Sequence, residues 1–294
     1  MCPSESQPVK AALYMVGAIF SFTAMAISGR EMAASLDTFE IMFFRSLIGI
    51  MIILGLGFAF GTLSQIKTNR LGLHLLRNIS HFTGQNLWFF ALIYIPFSQL
   101  FALEFSAPLW IAVLAALFLQ ERLTKIRLMS LAIGFIGILI ISRPDAHILS
   151  PALIAGALSA IAFAGSIICT KKLISDQSTT CILFWLVVMQ AVMGLICAGI
   201  DFDITLPTGI HIVYVVVVGC CGLLAHFCIT RALSLAPAIV VAPLEFLRLP
   251  LISVIGFALY DESLNWGILF GAVLIFGANI MNMWAERPVR LKTG

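Results

Sequence analysis

Runs of about 20 apolar residues, one after another with little between them, leave a chain few places to fold other than a lipid bilayer. Ten are read along the 294 residues: 11–29, 41–61, 72–94, 97–119, 128–142, 151–170, 181–200, 209–232, 238–260 and 266–284. Run 128–142 is short for a span and has the least defined ends. The connectors are mostly short and leave no room for a separate soluble domain. Hydrophobic residues make up 61% of the chain and charged residues 11%, where a soluble domain carries about 25% charged. The expectation is an all-α integral membrane protein whose whole mass is the bundle. Met1 to Lys10 is polar with one base, and no small-residue cleavage site follows, so the first run reads as a retained span.

The second constraint is that part of this pattern is written twice. Shifted by 141 positions, residues 91–140 return as 232–281. Ala91, Leu92, Pro96, Leu103, Glu104, Phe105, Glu121 and Leu123 fall on Ala232, Leu233, Pro237, Leu244, Glu245, Phe246, Glu262 and Leu264. In each copy a lone acid (Glu104, Glu245) sits inside an apolar run, and 17 residues later a second acid (Glu121, Glu262) marks where the run ends. Internal duplication of this kind is typical of transporters. It divides the chain into five-helix halves at 1–146 and 147–294.

Charge sets the orientation. Lys10, Lys67, Arg70, Arg77, Arg122, Lys125, Arg127, Lys171, Lys172, Arg231, Arg287, Arg290 and Lys292 fall at one set of alternating helix ends, with only Arg30 and Arg143 at the other. By the positive-inside rule both termini are cytoplasmic. An odd number of spans per half then inverts the second repeat, placing Glu121 inside and Glu262 outside. The fold expected is ten transmembrane helices as two inverted five-helix repeats.

Polar residues inside spans are costly and so informative. In the third run Arg77, Trp88, His81, His74, Gln85 and Asn78 fall within about 100° of one another around the helix. Such a stripe must face the bundle interior or water; Arg77 and His74, near the inner end, also fit an interfacial position. Glu104 precedes Pro108 by four residues, so the carbonyl of Glu104 loses its helical partner. The second copy carries Pro243, Glu245, Arg248 and Pro250. Glu245 and Arg248 are i,i+3 neighbours able to pair locally, whereas Glu104 is expected to lack a cation. Glu40 and Arg45 do not share a face well, and Arg45, about one turn in from the outer end, is read either as snorkelling there or as an interior group. His226 takes the place of Gln85 in the repeat and reads as a packing residue. Gly17, Ser21, Ser28 and Gly29, then Gly134, Gly137, Gly267, Gly271 and Gly277, suit close helix approach, within the chain or between copies. The seven cysteines have no metal spacing and read as small apolar side chains.

The segments Ala107-Pro108-Leu109-Trp110, Ala115 through Gln120-Glu121-Arg122-Leu123 and Gly134-Phe135-Ile136-Gly137-Ile138-Leu139-Ile140 resemble the repeat of the EamA family of the drug/metabolite transporter superfamily. Leu251 to Ala278, with Asp261-Glu262, is a more degenerate second copy. The resemblance implies a bacterial inner-membrane secondary carrier for small organic solutes, with the helices of each half around a central cavity. Phe39 to Arg45 and His74-Leu75-Leu76-Arg77 look like branches carrying S-adenosylmethionine, riboflavin or amino acids, and the match does not choose among them.

The leading reading is a metabolite carrier working by alternating access, taking an amino acid or related cationic or zwitterionic solute. Glu104 and Glu245 are candidates to bind a proton or a cationic solute, and Arg248 to set the charge of Glu245. His81, Gln85, Trp88 and Arg77 would orient the solute, with Trp88, Phe89 and Trp110 offering aromatic faces. The opposing reading makes both acids structural, each bonded to a neighbouring helix. A riboflavin-type carrier is the closest alternative in function. A channel is a further one, as is an intramembrane enzyme, for which neither a zinc-type His-Glu-x-x-His pair nor paired aspartates are found. The partners expected are solute and lipid, with proton coupling as one option, no cofactor, no metal and no nucleic acid, as monomer or homodimer.

Overall fold

A computed structural model of the protein describes residues 7–33, 35–118, 124–142, 150–173, 176–200, 202–235, 244–245, 247–263 and 265–285. Eleven α-helices are named among them, besides a short 3-10 turn at Leu63–Gln65. They are α1 (Pro8–Met32), α2 (Thr38–Ala59), α3 (Leu71–Tyr94), α4 (Phe97–Glu104), α5 (Ala107–Phe118), α6 (Lys125–Ser142), α7 (Pro151–Leu173), α8 (Thr179–Ala198), α9 (Ile210–Leu235), α10 (Arg248–Tyr260) and α11 (Trp266–Ala285). Glu121, Arg122, Leu123, Arg143, Asp201, Pro237, Pro243, Phe246, Leu264, Arg287, Arg290 and Lys292 lie outside the described residues.

Six stretches are long and apolar enough to cross a membrane, among them Thr38–Ala59 and Ile210–Ile229, and the shorter apolar helices include Arg248–Tyr260 and Trp266–Met281. With α4 and α5 forming one interrupted pass, the helices match the ten runs read from hydropathy. The outer surface is apolar too: Phe58, Leu117, Ile196 and Val273 are all more than half exposed, as lipid-facing side chains must be.

The helix ends are locally specified. Asp37 caps α2, its carboxylate accepting from the N–H groups of Phe39 (2.7 Å) and Glu40 (2.8 Å), while Glu40 accepts from Asp37 N–H at 2.8 Å. Glu40 is thus a capping residue, and Arg45 does not pair with it. Ser178 caps α8 through Cys181 N–H.

Packing between the halves is reciprocal. α1 lies against α9 and α3 against α7, while α2 faces α8, α6 faces α11 and α4 faces α10. Exchanging the halves leaves the first four of these pairs unchanged. The chain also alternates: α1, α3 and α10 end where α4, α9 and α11 begin. α1 and α7, first in each repeat, therefore run in opposite directions. At the crossing of α6 and α11, a Cβ on Gly137 would lie 2.7 Å from the Gly271 carbonyl, and one on Gly271 the same distance from the Gly137 carbonyl. Small-residue packing is therefore used within the chain.

Both repeats break at the same point. α4 stops at Glu104, Phe105 and Ser106 form a turn, and α5 restarts at Ala107. In the second copy Leu244 and Glu245 are helical, Leu247 is a turn, and α10 starts at Arg248, the position equivalent to Ala107. Pro108 supplies the cause in the first copy, since a proline nitrogen cannot donate to the carbonyl four residues earlier. The break is also held from outside: Asn279 of α11 donates to the Phe105 carbonyl at 2.8 Å.

Candidate functional site

The two interruptions face each other, and Arg248 stands between their acids. Its Nη2 is 2.8 Å from Glu104 Oε1 and 3.8 Å from Glu245 Oε1. Glu104 therefore does have a cation, supplied from 144 residues away; the expectation that it lacks one is corrected. The local Glu245–Arg248 pair exists as the longer of the two contacts. Arg248 is 1% exposed, yet the acids retain access to open space, with side chains 20% exposed in Glu104 and 36% in Glu245. Two carboxylates around one guanidinium leave the cluster one charge negative when both are ionised.

Aromatic rings enclose the guanidinium. Its central carbon is 4.7 Å from the ring centres of Phe22 and Phe101 and 5.3 Å from that of Phe105, within cation–π range. Arg248 Nε is buried without a hydrogen-bond partner among the described residues. Trp88 of α3 completes the group, its Nε1–H donating to Glu104 Oε2 at 2.8 Å. Glu104 thus has an indole on one oxygen and a guanidinium on the other.

Farther along α3 lies a second polar group. Gln85, with its amide oxygen turned to Arg45, accepts from Arg45 Nη1 (2.6 Å) and Nη2 (3.2 Å), and its nitrogen donates to Gln190 of α8 at 2.9 Å. Arg45 is 8% exposed; it does not snorkel to the outer end, because α3, α8 and α9 close over it. Behind it, the rings of His81 and His226 meet edge to face with centres 5.9 Å apart, and His226 also meets Phe22 at 5.9 Å.

Arg77 and His74 are both buried within the bundle. Arg77 Nε donates to Thr170 Oγ1 at 2.7 Å, and its Nη1 is 3.5 Å from Asn78 Oδ1. Trp110 stands apart: its ring packs edge-on against Phe135 of α6 at 4.9 Å, a helix contact rather than a face offered to the acids. Of the eight candidate positions, Glu104, Glu245, Arg248 and Trp88 come together, Gln85 and His81 flank them along α3, Arg77 lies deeper, and Trp110 is elsewhere. Arg45, Gln190 and Asn279 take part without having been singled out for it. Gln190 is the lone amide of α8, and Asn279 is one of two amides in the otherwise apolar α11, a signal that was available in the sequence.

At one end of the bundle a separate ion pair joins the halves. Arg30, at the end of α1, pairs with Glu262 after α10. Arg30 also donates to the carbonyls of Leu92 (2.8 Å) and Ile95 (2.7 Å), and Glu262 accepts from Phe97 N–H at 2.9 Å. The Arg30 guanidinium lies 3.6 Å over the ring of Phe97 and 5.0 Å from that of Tyr260.

Comparison with known proteins agrees with this architecture. The sequence pattern of the EamA-like transporter family matches residues 9–143 and again 150–284. An S-adenosylmethionine uptake transporter of Rickettsia felis is 28% identical over 269 residues, 92% of this chain and 90% of that protein. A riboflavin transporter of Brucella anthropi is 30% identical over 247 residues, 83% of this chain and 87% of that one. A pseudopaline exporter of Pseudomonas aeruginosa is 27% identical over 271 residues, 91% of this chain and 94% of the exporter. A crystal structure at 17% sequence identity superposes with a TM-score of 0.66 over 96% of this chain and 100% of the other, and so shares the fold. Matched in both of its halves, the chain belongs to the EamA-like transporter family.

Proposed function

We propose that the protein is a secondary active carrier that moves a small cationic or zwitterionic organic solute by alternating access, and not an enzyme. The observation that carries this reading is the twice-broken helix: each repeat is interrupted beside an acid, and both acids converge on Arg248. Backbone interrupted at membrane depth persists only where it lines a cavity or is buried in protein. Paired interruptions in corresponding positions are the strongest structural pointer to a midplane binding site. The net negative charge favours a cationic group, and the surrounding rings suit a flat or cationic moiety. The halves 1–146 and 147–294 would rock against each other about this point, in a bacterial inner membrane with both termini cytoplasmic.

The relatives named for S-adenosylmethionine support a solute with a positive centre. A second reading, a riboflavin-type carrier, is favoured by the rings of Phe22, Phe101 and Phe105 and by the Brucella relative. Glu245, farther from Arg248 and more open than Glu104, is the freer acid for a cation or a coupled proton.

The test is counterflow in proteoliposomes preloaded with S-adenosylmethionine, amino acids or riboflavin, one at a time. A carrier gives saturable exchange of chemically unchanged solute. Flux that does not saturate would indicate a channel, a chemically altered solute an enzyme, and no flux for any of them would remove the reading. In the same vesicles an imposed pH gradient reads coupling: Glu245→Gln is expected to keep counterflow and lose gradient-driven accumulation. Retention of both would clear Glu245 of a proton role.

A further inference from the structure

Arg45 poses a question that the acid cluster does not answer. It sits seven residues into α2 at 8% exposure, and no carboxylate lies within ion-pair distance among the described residues. Its partners are the Gln85 amide and, at 3.9 Å, the sulfur of Met42. Among the described residues Arg77 is likewise held only by neutral groups, Thr170 and Asn78. An arginine inside a membrane bundle without a counter-charge is expensive and marks a solute or ion pathway by default. Gln85 engages two of the five N–H donors a guanidinium carries, so the fork is not saturated.

Gly222 of α9 faces the guanidinium without a side chain of its own, and a Cβ added there would meet Nη2 at ordinary contact distance, 3.7 Å. The polar lining continues with Gln190 and with His81 and His226, both within electrostatic reach of Arg45 and Arg77.

We infer that Arg45, with Gln85 and Gln190, receives a carboxylate of the transported solute. The inference rests on the transport reading and adds the other end of the solute to it. Gln85 and Trp88 lie on one face of α3, separated by a rise of about 4.5 Å. Trp88 holds Glu104 and Gln85 holds Arg45, so the two residues of α3 that fix a negative pole and a positive pole are about one helical turn apart. A molecule carrying both an amino or sulfonium group and a carboxylate meets both poles at once. A purely cationic or neutral solute would leave Arg45 uncompensated. A guanidinium is the side chain suited to a carboxylate, because its N–H groups match both oxygens.

The test uses the purified full-length chain in detergent and reads its thermal unfolding midpoint. Sodium acetate is titrated at constant ionic strength set with sodium chloride, which matches the charge and lacks the two-oxygen geometry. Acetate is expected to raise the midpoint of the unaltered protein. In Arg45→Gln the concentration for half the effect should rise by about tenfold or more, the cost of one charged hydrogen-bonding partner. Arg45→Lys, which keeps the charge and loses the fork, should fall between them and serves if the glutamine variant does not fold. Equal acetate responses in all three proteins, including no response in any, would overturn the inference. Methylammonium probes the acid pole separately. Its effect should survive Arg45→Gln and vanish in Glu104→Gln, and loss of that pattern alone would count against the acid-pole reading while leaving Arg45 untouched.

Discussion

Arg248 carries most of what is unusual at the scale of single residues. It is almost wholly enclosed, touches one acid from each repeat, and has no equivalent in the first half, where Ala107 takes its place. Removing one partner of a buried pair costs roughly 3–5 kcal/mol because the other charge is stranded. Here the cost should be smaller, since Glu104 and Glu245 keep 20% and 36% of their side-chain surface open. We expect Arg248→Ala to lower the unfolding midpoint of the detergent-solubilised protein clearly, and Glu104→Gln to lower it less. In the double variant the losses should fall short of their sum by about 0.5–3 kcal/mol, the coupling of residues in direct contact. Strict additivity would mean that Glu104 and Arg248 do not stabilise one another. The Glu104–Arg248 contact was not legible in the sequence. The i,i+3 spacing of Glu245 and Arg248 is a local signal, whereas a partner 144 residues distant leaves no trace in hydropathy or spacing. For Arg45 the sequence leaves snorkelling and an interior place both open: its depth in α2 fits snorkelling, and the closeness of α3, α8 and α9 denies it that route.

Among the helices, legibility was much higher, because a bilayer demands long apolar runs and leaves little choice of where they end. The interruption after Glu104 was legible too, through Pro108. Its second copy is clearest once the 141-residue shift aligns Ala107 with Arg248. Trp110 misled because an aromatic ring near a broken helix serves equally well as packing, and here it wedges against Phe135. Gly137 and Gly271 are the element-scale counterpart of the acids: equivalent roles in the two halves, meeting at one crossing. An added Cβ on either would press on backbone, which cannot swing aside as a side chain can. We expect Gly137→Ala and Gly271→Ala each to lower the unfolding midpoint and the yield of monodisperse protein. Gly277→Ala, with open space around its Cβ position, should behave as the unaltered chain. Three indistinguishable variants would show that α6 and α11 do not need this close approach.

For the whole molecule the reciprocal packing means that one rearrangement can serve both directions of transport, since exchanging the halves exchanges the two ends of the bundle. The end where α1 finishes is bridged by Arg30 and Glu262, which join the halves there. The pair draws in the carbonyl end of α3, the first amide of α4 and the ring of Tyr260, whose hydroxyl donates to Glu31 at 2.7 Å. Its two side chains are only 13% and 12% exposed, so it is held more firmly than a surface ion pair. From Phe97 to Glu104 is seven residues of α4, about 10 Å along the helix. The acids thus sit about two turns beneath a bridge that belongs to both halves. If the bridge contributes a coupling of roughly 1–3 kcal/mol, its loss would raise the population open at this end by about 5–150-fold. Glu262→Gln removes the charge while keeping the shape. Spin labels placed at Tyr94 and Trp266, which are 66% and 84% exposed at this end of the bundle, report the spacing between α3 and α11 once the native cysteines are replaced. With the charge gone, the distance distribution is expected to acquire a longer component that is minor or absent when Glu262 is intact. Distributions that coincide would mean the ion pair braces the fold and does not gate the path to Glu104 and Arg248.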